Sequence, residues 1–333
     1  MYINLEKYKL PNFRQKQINH ATFKNLVNSI DEITTLPEEI KEKIKEDIVF
    51  PSIKEKNTLS EKDTIKTSFE TEDKKVFEAV LLKHENDRNT ICVSSQVGCP
   101  IGCKFCATGK MGFERNLNYQ EIIDQVLYFA RKLKEEDKKI TNIVFMGMGE
   151  PFLNLENLEK STDILTNPEE FNLSQRRLTV STIWTGKEVL EFFKKKTQIN
   201  LAISLHSAIQ EKREQLIPIA KKMPLRQIVE DLYEYFEFSN RRITLEYTLL
   251  NGVNDQKEDL KALQEFVLKD LGNYKKLIHI NLIPYNMIDN TFHPTKEKEI
   301  KNFKRKLENK GIKTTTRKSL GQDTKSACGM LQG

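Results

Sequence analysis

Three cysteines, Cys99, Cys103 and Cys106, stand within eight residues, spaced C-x3-C-x2-C with no fourth cysteine beside them. Clustered thiolates of this kind bind metal, and a closed structural zinc site takes all four ligands from protein. Three ligands leave one position open. Iron–sulfur clusters are normally held by four thiolates, so a three-cysteine loop points to a cluster with one iron free to bind a substrate or cofactor. On these residues alone zinc stays possible, with a fourth ligand from far along the chain, such as His206 or another cysteine.

Such a loop needs a rigid frame. From Val76 onward, strand-like runs recur at 77–82, 90–95, 142–146, 178–182, 199–205, 243–250, 278–284 and 313–317. Most are β-branched and apolar enough for burial on both faces, as parallel strands require. Helical stretches lie between them. The clearest covers 118–133, with Ile122, Ile123, Val126, Leu127, Ala130 and Leu133 on one stripe and an Asn118/Glu121 capping box at its start. Strand–helix–strand alternation predicts βαβ units in a parallel sheet or barrel. Working residues in such barrels sit on loops at the C-terminal ends of strands, and Cys99–Cys106 follows the 90–95 run. Upstream, residues 13–30 carry apolar positions at helical spacing and a second helix starts at Leu36-Pro37. The polar stretch 54–74 reads as a linker or an exposed hairpin. The predicted organisation is an N-terminal helical domain and linker over 1–75 and a core over 76–333.

Length allows one large α/β domain with a small appendage: 333 residues. No apolar run reaches the roughly 18 residues of a membrane span, and the start of the chain lacks the apolar stretch of a secretory signal. Five cysteines, three of them in one loop, argue against a disulfide framework and for a cytoplasmic protein with reduced thiols. The net charge is +6, with 54 basic and 48 acidic residues. Basic clusters such as Arg241-Arg242, Lys304-Arg305-Lys306 and Arg317-Lys318 could follow phosphates or simply be a solvated surface.

Further motifs surround the cysteine loop. Ser94-Ser95-Gln96-Val97-Gly98 precedes it and Ala107-Thr108-Gly109-Lys110 follows. Beyond lie Phe145-Met146-Gly147-Met148-Gly149-Glu150-Pro151, Leu173-Ser174-Gln175-Arg176-Arg177, Ser204-Leu205-His206, Gly252-Val253-Asn254-Asp255 and Ala327-Cys328-Gly329. With Phe105 just before the last ligand, the loop resembles that of radical S-adenosylmethionine enzymes. The whole ordered set, from about Phe77 to Cys328, resembles the bacterial RNA methyl synthases of the RlmN/Cfr family.

The resemblance implies an α/β fold, a partial (β/α) barrel of the radical SAM type as catalytic core over 76–333, behind a small N-terminal helical domain and linker over 1–75 that contacts RNA. It implies a [4Fe-4S] cluster on Cys99, Cys103 and Cys106, and two S-adenosyl-L-methionine molecules per turnover, contacted by Gly149, Glu150, Ser181, Ser204, Leu205, His206 and Asn286. From local sequence alone Cys92 and Cys328 read as packed free thiols. The resemblance gives them roles: Cys328 takes the first methyl group as S-methylcysteine, and Cys92 resolves the protein–RNA adduct by a transient disulfide with Cys328. Glu78 is the implied proton acceptor, although its separation from Cys92 is a residue longer than the family's usual spacing; otherwise it is an outward-facing strand carboxylate. The implied partners are 23S rRNA, tRNA and an electron donor such as flavodoxin or ferredoxin, with no membrane and a monomeric chain.

Two chemistries exist in this family, at carbon 2 or carbon 8 of adenine. Gln96-Val97-Gly98-Cys99, Gly149-Glu150-Pro151 and Leu245-Glu246-Tyr247 look more like the carbon-2 branch, which modifies 23S rRNA at the peptidyl-transferase centre and certain tRNAs next to the anticodon. Carbon-8 methylation, which gives antibiotic resistance, is the alternative. A reading of another class is a non-catalytic RNA-binding protein with a zinc loop. Three departures stand out: Trp184 where the family usually has a small residue, Met330 where Gln is usual, and a short N-terminal segment. Trp184 is expected to pack on cofactor or to cover the barrel mouth.

Overall fold

A computed structural model of the chain describes residues 2, 3, 8, 10–317 and 328–332. Ala327 of the Cys328 motif lies outside them. The frame is a ten-stranded sheet in the order β1-β2-β3-β4-β7-β8-β9-β10-β11-β12. Its strands are β1 (Ile53–Glu61), β2 (Thr64–Thr71), β3 (Val76–Lys83), β4 (Asn89–Val93), β7 (Asn142–Phe145), β8 (Leu178–Thr182), β9 (Asn200–Ser204), β10 (Ile243–Leu249), β11 (Ile278–Pro284) and β12 (Lys313–Thr316). The β1–β4 strands pair antiparallel, and from β4 onward every pair is parallel. Strands β5 (Gln96–Gly98) and β6 (Phe113–Asn116) form a separate ribbon around the cysteine loop.

Helices make the crossovers that parallel pairing demands. After α1 (Asn12–His20), α2 (Glu38–Lys45) and the short α3 (Ala107–Met111), α4 (Tyr119–Glu135) leads into β7, α5 (Leu155–Thr166) into β8 and α6 (Lys187–Lys195) into β9. The pair α7 (Gln210–Leu216) and α8 (Leu225–Ser239) leads to β10, α9 (Lys257–Glu265) towards β11, and α10 (Glu297–Glu308) to β12. This is an open, partial (β/α) barrel: β1 and β12 remain edges, while one cavity touches strands from β3 round to β11.

The helix expected at 118–133 is α4. Its capping box is present, with Glu121 N donating to Asn118 Oδ1 at 2.9 Å and Asn118 N to Glu121 Oε2 at 2.8 Å, a contribution of about 1 kcal/mol. Its apolar stripe is buried. Two expectations change. The helix read over 13–30 stops early: α1 passes into a π-helical turn, Ala21–Asn25, and Leu26 adopts φ 59°. Side chains of α4 reward that turn, because Arg131 donates to the carbonyls of Leu26 (3.0 Å) and Val27 (2.7 Å) and Lys134 to that of Asn25 (3.0 Å). Val27 and Ile30 are therefore buried by a change of chain direction rather than by further helix. Among the strands, most of which were expected to be buried on both faces, β8 alternates buried and half-buried because its inner face lines the barrel cavity.

Residues 54–74, read as a linker or an exposed hairpin, form the β1–β2 hairpin, and β2 joins the main sheet through β3. The division expected after residue 75 thus falls between hydrogen-bonded neighbours. The N-terminal residues share one continuous apolar core with the barrel, and buried Asp124 of α4 fastens them, accepting from Tyr2 Oη and, at 2.6 Å, from Ser52 N and Oγ.

Candidate active site

The cysteine loop leaves β5 through Gly98, where φ is +74° and a Cβ would stand 2.0 Å from the Gly112 carbonyl. Only glycine fits there, and that contact lets Cys99 N donate to Gly112 O at 2.7 Å. Downstream, Cys106 N bonds Cys103 O at 3.2 Å and Lys104 N bonds Leu216 O at 3.0 Å, so the loop is tied both to itself and to α7. A small apolar cluster backs it, with Ile101, Phe105, Ile183, Ile217 and Tyr285 packed against the three cysteines.

All five cysteines are free thiols. Burial pushes the Cys99 thiol up to about 12 and Cys103 well above the ordinary thiol range, with the neighbouring thiols adding to both. Binding a metal group therefore displaces protons.

One cavity gathers Cys92, Cys99, Cys103, Cys106, Gly149, Glu150, Ser181, Ser204, His206 and Cys328. Gly149, at φ +100°, passes so close to Gln96 that a Cβ would sit 2.6 Å from its side chain. Gln96 Oε1 accepts from Glu150 N at 2.9 Å, which fixes the strand-end turn. The Glu150 carboxylate accepts from Ile183 N at 3.1 Å and from Phe152 N at 3.3 Å. Burial still raises it to about 7. A buried carboxylate of this kind gains from a cationic ligand such as an ammonium group. Ser181 and Ser204 face each other with hydroxyls 3.3 Å apart.

His206 has a left-handed backbone (φ 55°) and tilts its ring over Phe105, with centroids 4.7 Å apart. Its Nδ1 accepts from Thr248 N at 3.0 Å, which places the ring proton on Nε2. Burial, with help from Arg213, lowers it to about 3, so the ring is a neutral donor. Asn254, wholly buried, holds this turn: its Nδ2 donates to the carbonyls of His206 and Thr248, both at 2.7 Å, and its Oδ1 accepts from Leu250 N at 2.8 Å.

Cys328 lines the cavity on a docked tail. Ala107 N donates to Gly329 O, Thr108 Oγ1 to Leu331 O and Gln332 N to Glu78 Oε2, each at 2.8 Å, and Asn286 Nδ2 donates to Cys328 O at 3.1 Å. Two of these donors directly follow Cys106. Burial pushes the Cys328 thiol up, and the Arg317 guanidinium pulls it back; Cys92, raised to about 12, feels the same pair of influences.

Three anticipated residues lie elsewhere. Leu205 belongs to the main apolar core and does not line the cavity. Asn286 lines an adjoining chamber. Glu78 does not line the cavity; it is buried on β3, 2.9 Å from Lys66 of β2. Trp184 neither meets the cavity nor covers the barrel mouth. It is fully buried, with Nε1 donating to Asp231 Oδ2 of α8 at 2.8 Å, and its φ of 72° sits in the region that small residues favour. Met330 is buried at the tail.

Sequence reasoning missed Arg317, Lys66 and the role of Asn254. Arg317 stood in a basic pair read as following phosphates or as solvated surface. It follows β12 directly, and its backbone N donates to Leu282 O of β11 at 2.8 Å, which sets it in the cavity lining.

Residues 93–266 match the model of the Radical SAM superfamily. The chain is 39% identical to a protein of Dictyoglomus turgidum named "Probable dual-specificity RNA methyltransferase RlmN", over 98% of this chain and 92% of that one. It is also 39% identical to the "Ribosomal RNA large subunit methyltransferase Cfr" of Clostridium botulinum (strain Okra / Type B1), over 97% and 93%. The crystal structure of a radical SAM methyltransferase from Sphaerobacter thermophilus superposes with a TM-score of 0.92 at 35% identity, covering 99% of this chain and 98% of that one.

Proposed function

The chain belongs to the RlmN/Cfr family of radical S-adenosylmethionine RNA methyltransferases, and we propose that it methylates carbon 2 of adenine in 23S rRNA at the peptidyl-transferase centre, and in tRNA beside the anticodon. Membership excludes the non-catalytic RNA-binding alternative and brings with it a [4Fe-4S] cluster and S-adenosylmethionine. Cys99, Cys103 and Cys106 hold the cluster; Gly149, Glu150, Ser181, Ser204 and His206 surround the cofactor.

Carbon 2 of adenine is electron-poor and does not attack an ordinary methyl sulfonium. When bound, the cluster and S-adenosylmethionine supply one-electron cleavage of the sulfonium and abstraction of a hydrogen atom from a nearby methyl group. The remaining work falls to this chain. The Cys328 thiolate displaces the methyl group of a first S-adenosylmethionine: an S–C bond forms, the sulfonium C–S bond breaks, and S-adenosylhomocysteine leaves. Arg317 favours the thiolate. The Cys328-borne carbon then bonds to the base, Glu78 is the proposed acceptor of the ring proton, and the one electron left over would pass back to the cluster when that group is bound. Cys92, as thiolate, attacks the Cys328 sulfur; the S–C bond to the RNA breaks, the released carbon takes up a proton, and a Cys92–Cys328 disulfide remains. Flavodoxin or ferredoxin is the proposed electron source, and the chain is proposed to work as a monomer.

The observation that carries this reading is the docking of the Cys328 tail on Ala107 and Thr108, with Cys92 in the wall of the same cavity. The carbon-2 assignment rests on Gln96-Val97-Gly98-Cys99 and Leu245-Glu246-Tyr247, which resemble that branch. Anaerobic reconstitution, methylation of isolated 23S rRNA and tRNA, and mass spectrometry against 2-methyl- and 8-methyladenosine standards tests it. Only 8-methyladenosine in the product would overturn the carbon-2 assignment.

A further inference from the structure

A buried cation is costly unless an anion compensates it. Arg213 of α7 is fully buried, and among the described residues no carboxylate forms an ion pair with it. Glu214 of the same helix accepts from Gln210 Nε2 at 2.8 Å, and Glu150 of the cavity is occupied by the amides of Ile183 and Phe152. A guanidinium offers five N–H donors in a fixed fork. Here Nη2 donates to Ile183 O at 2.7 Å and Nη1 to Met223 O at 3.4 Å, while Nε is buried without an acceptor. The two carbonyls orient the group, but neither supplies a full negative charge.

The position of Arg213 shows where that charge arrives. Helix α7 lies against the cysteine loop: Leu216 O accepts from Lys104 N at 3.0 Å, between Cys103 and Cys106. Leu216, Ile217 and Ala220 belong to the apolar cluster packed on the cysteines. Ile183, whose carbonyl the guanidinium holds, lines the cavity with Cys103 and His206, and Arg213 itself does not. It therefore stands behind that wall. Its charge opposes the rise of the Cys103 thiol and helps to lower His206. Among the described residues Cys103 is the ionisable group that in return favours the Arg213 cation.

Thiols give up their protons when they ligate metal. A [4Fe-4S] group on three thiolates carries net negative charge, and taking up an electron adds to it. The residues present fit such a group: three sulfur ligands on one loop, backed by a cation that has no anion of its own. Net charge and the hydrogen bonds to the sulfurs set the potential of a cluster, and a fixed cation nearby favours the reduced, more negative state.

We propose that Arg213 is the counter-charge of the cysteine loop, a positioning residue that acts through Cys103 and makes the cluster easier to reduce. The proposal rests on the cluster that family membership brings and uses no feature of the RNA substrate.

Two full-length variants test it after anaerobic reconstitution. Arg213→Gln keeps an amide donor for Ile183 O and loses the charge; Arg213→Lys keeps the charge and loses the fork. Iron and sulfide are counted in each. The cluster is then titrated with dithionite and redox mediators, followed by electron paramagnetic resonance, without S-adenosylmethionine or RNA. Arg213→Gln should lower the equilibrium constant for reduction by about tenfold or more, about 59 mV for one electron. Arg213→Lys should stay within about threefold of wild type, because the Coulomb interaction is retained. Loss of the cluster from Arg213→Gln while Arg213→Lys holds it in full supports the same assignment, since the charge is then needed to keep the group bound. A fully loaded Arg213→Gln with the wild-type potential overturns the proposal. Equal shifts, or equal loss of cluster, in the two variants overturn it as well, because the position would then supply shape and not charge. None of these results bears on the RNA reading; a wild type that titrates normally and methylates no RNA would sink that reading alone.

Discussion

Asn254 Nδ2 donates to the carbonyl of His206 at 2.7 Å, and this bond holds His206 in the left-handed turn that sets its ring over Phe105. The Gly252–Asp255 motif thus acts on the site through the backbone of another loop. Asn254→Ala leaves buried carbonyls and an amide without partners, a loss of about 3 kcal/mol that urea unfolding of the apoprotein will show. It also frees His206 to relax, and S-adenosylmethionine affinity should fall by roughly tenfold, about 1.4 kcal/mol. A folded Asn254→Ala protein with unchanged affinity would mean that the His206 turn does not position the cofactor.

The tail bearing Cys328 depends on few bonds, and Thr108 supplies a buried one. Replacing Thr108 by Val keeps the volume and removes the donor. About 1 kcal/mol of lost local stability makes transient tail release roughly fivefold more frequent. Iodoacetamide should then alkylate Cys328 faster by that factor, while Thr108→Ser stays near the wild-type rate. Equal rates in all three proteins would place the anchoring elsewhere in the tail.

The first methyl transfer should depend on pH in a defined direction. Thiolate, not thiol, attacks the sulfonium, and burial raises the Cys328 thiol above its ordinary range. S-methylation of Cys328 therefore rises with pH through neutrality and continues to rise into the alkaline range. His206, held near 3, adds no step of its own between pH 5 and 9. Arg317→Met removes the cation that favours the thiolate, so the profile moves further alkaline and the rate near neutral pH falls by roughly tenfold or more. A bell-shaped profile centred on neutral pH, or an Arg317→Met profile that does not move, would contradict this assignment.

Local patterns were readable where local physics decides. Asn118 and Glu121 predict their own capping box, and the Ile122–Leu133 stripe predicts its buried face. The cysteine loop identifies its chemistry because metal ligation imposes spacing. What stayed hidden depends on pairing between distant strands. Lys66 meets Glu78 only because β2 and β3 are in register, with Ser68 opposite Glu78. Arg317 faces Cys92 and Cys328 only because β12 closes the parallel series. Residues 13–30 misled for a related reason, since their helical spacing is satisfied only as far as Asn25, beyond which side chains from α4 reward a turn.

Cys92 should resolve the RNA adduct by attacking the Cys328 sulfur. Its thiol is buried and raised to about 12, so it is nearly inert at rest and needs the rearranged site of the adduct to ionise. Cys92→Ala should still methylate Cys328 and still couple to RNA, then stop. A covalent protein–RNA species, joined through Cys328, accumulates under reducing turnover and migrates slowly in denaturing gels. Its absence in a variant with an intact cluster would count directly against the relay.

Glu78 raises a different question, because its carboxylate already serves three partners, Ser68 Oγ donating to Oε1 at 3.3 Å among them. Lys66 Nζ lies 2.9 Å from one oxygen, and Gln332 N donates to the other at 2.8 Å. An ion pair this deeply buried is costly to break on one side, about 3–5 kcal/mol, since the remaining charge is left without a partner. Glu78→Gln alone would therefore lose activity whether Glu78 is the proton acceptor or only a strut for the tail. The double variant Lys66→Met/Glu78→Gln separates the two roles. It removes both charges and keeps an amide oxygen for Gln332 N, so thermal stability should return most of the way to wild type. RNA methylation should not return with it, while RNA-free methylation of Cys328, which needs the tail but no base at this position, should. If RNA methylation recovers in step with stability, Glu78 is a structural partner of Lys66 and the ring proton leaves by another route.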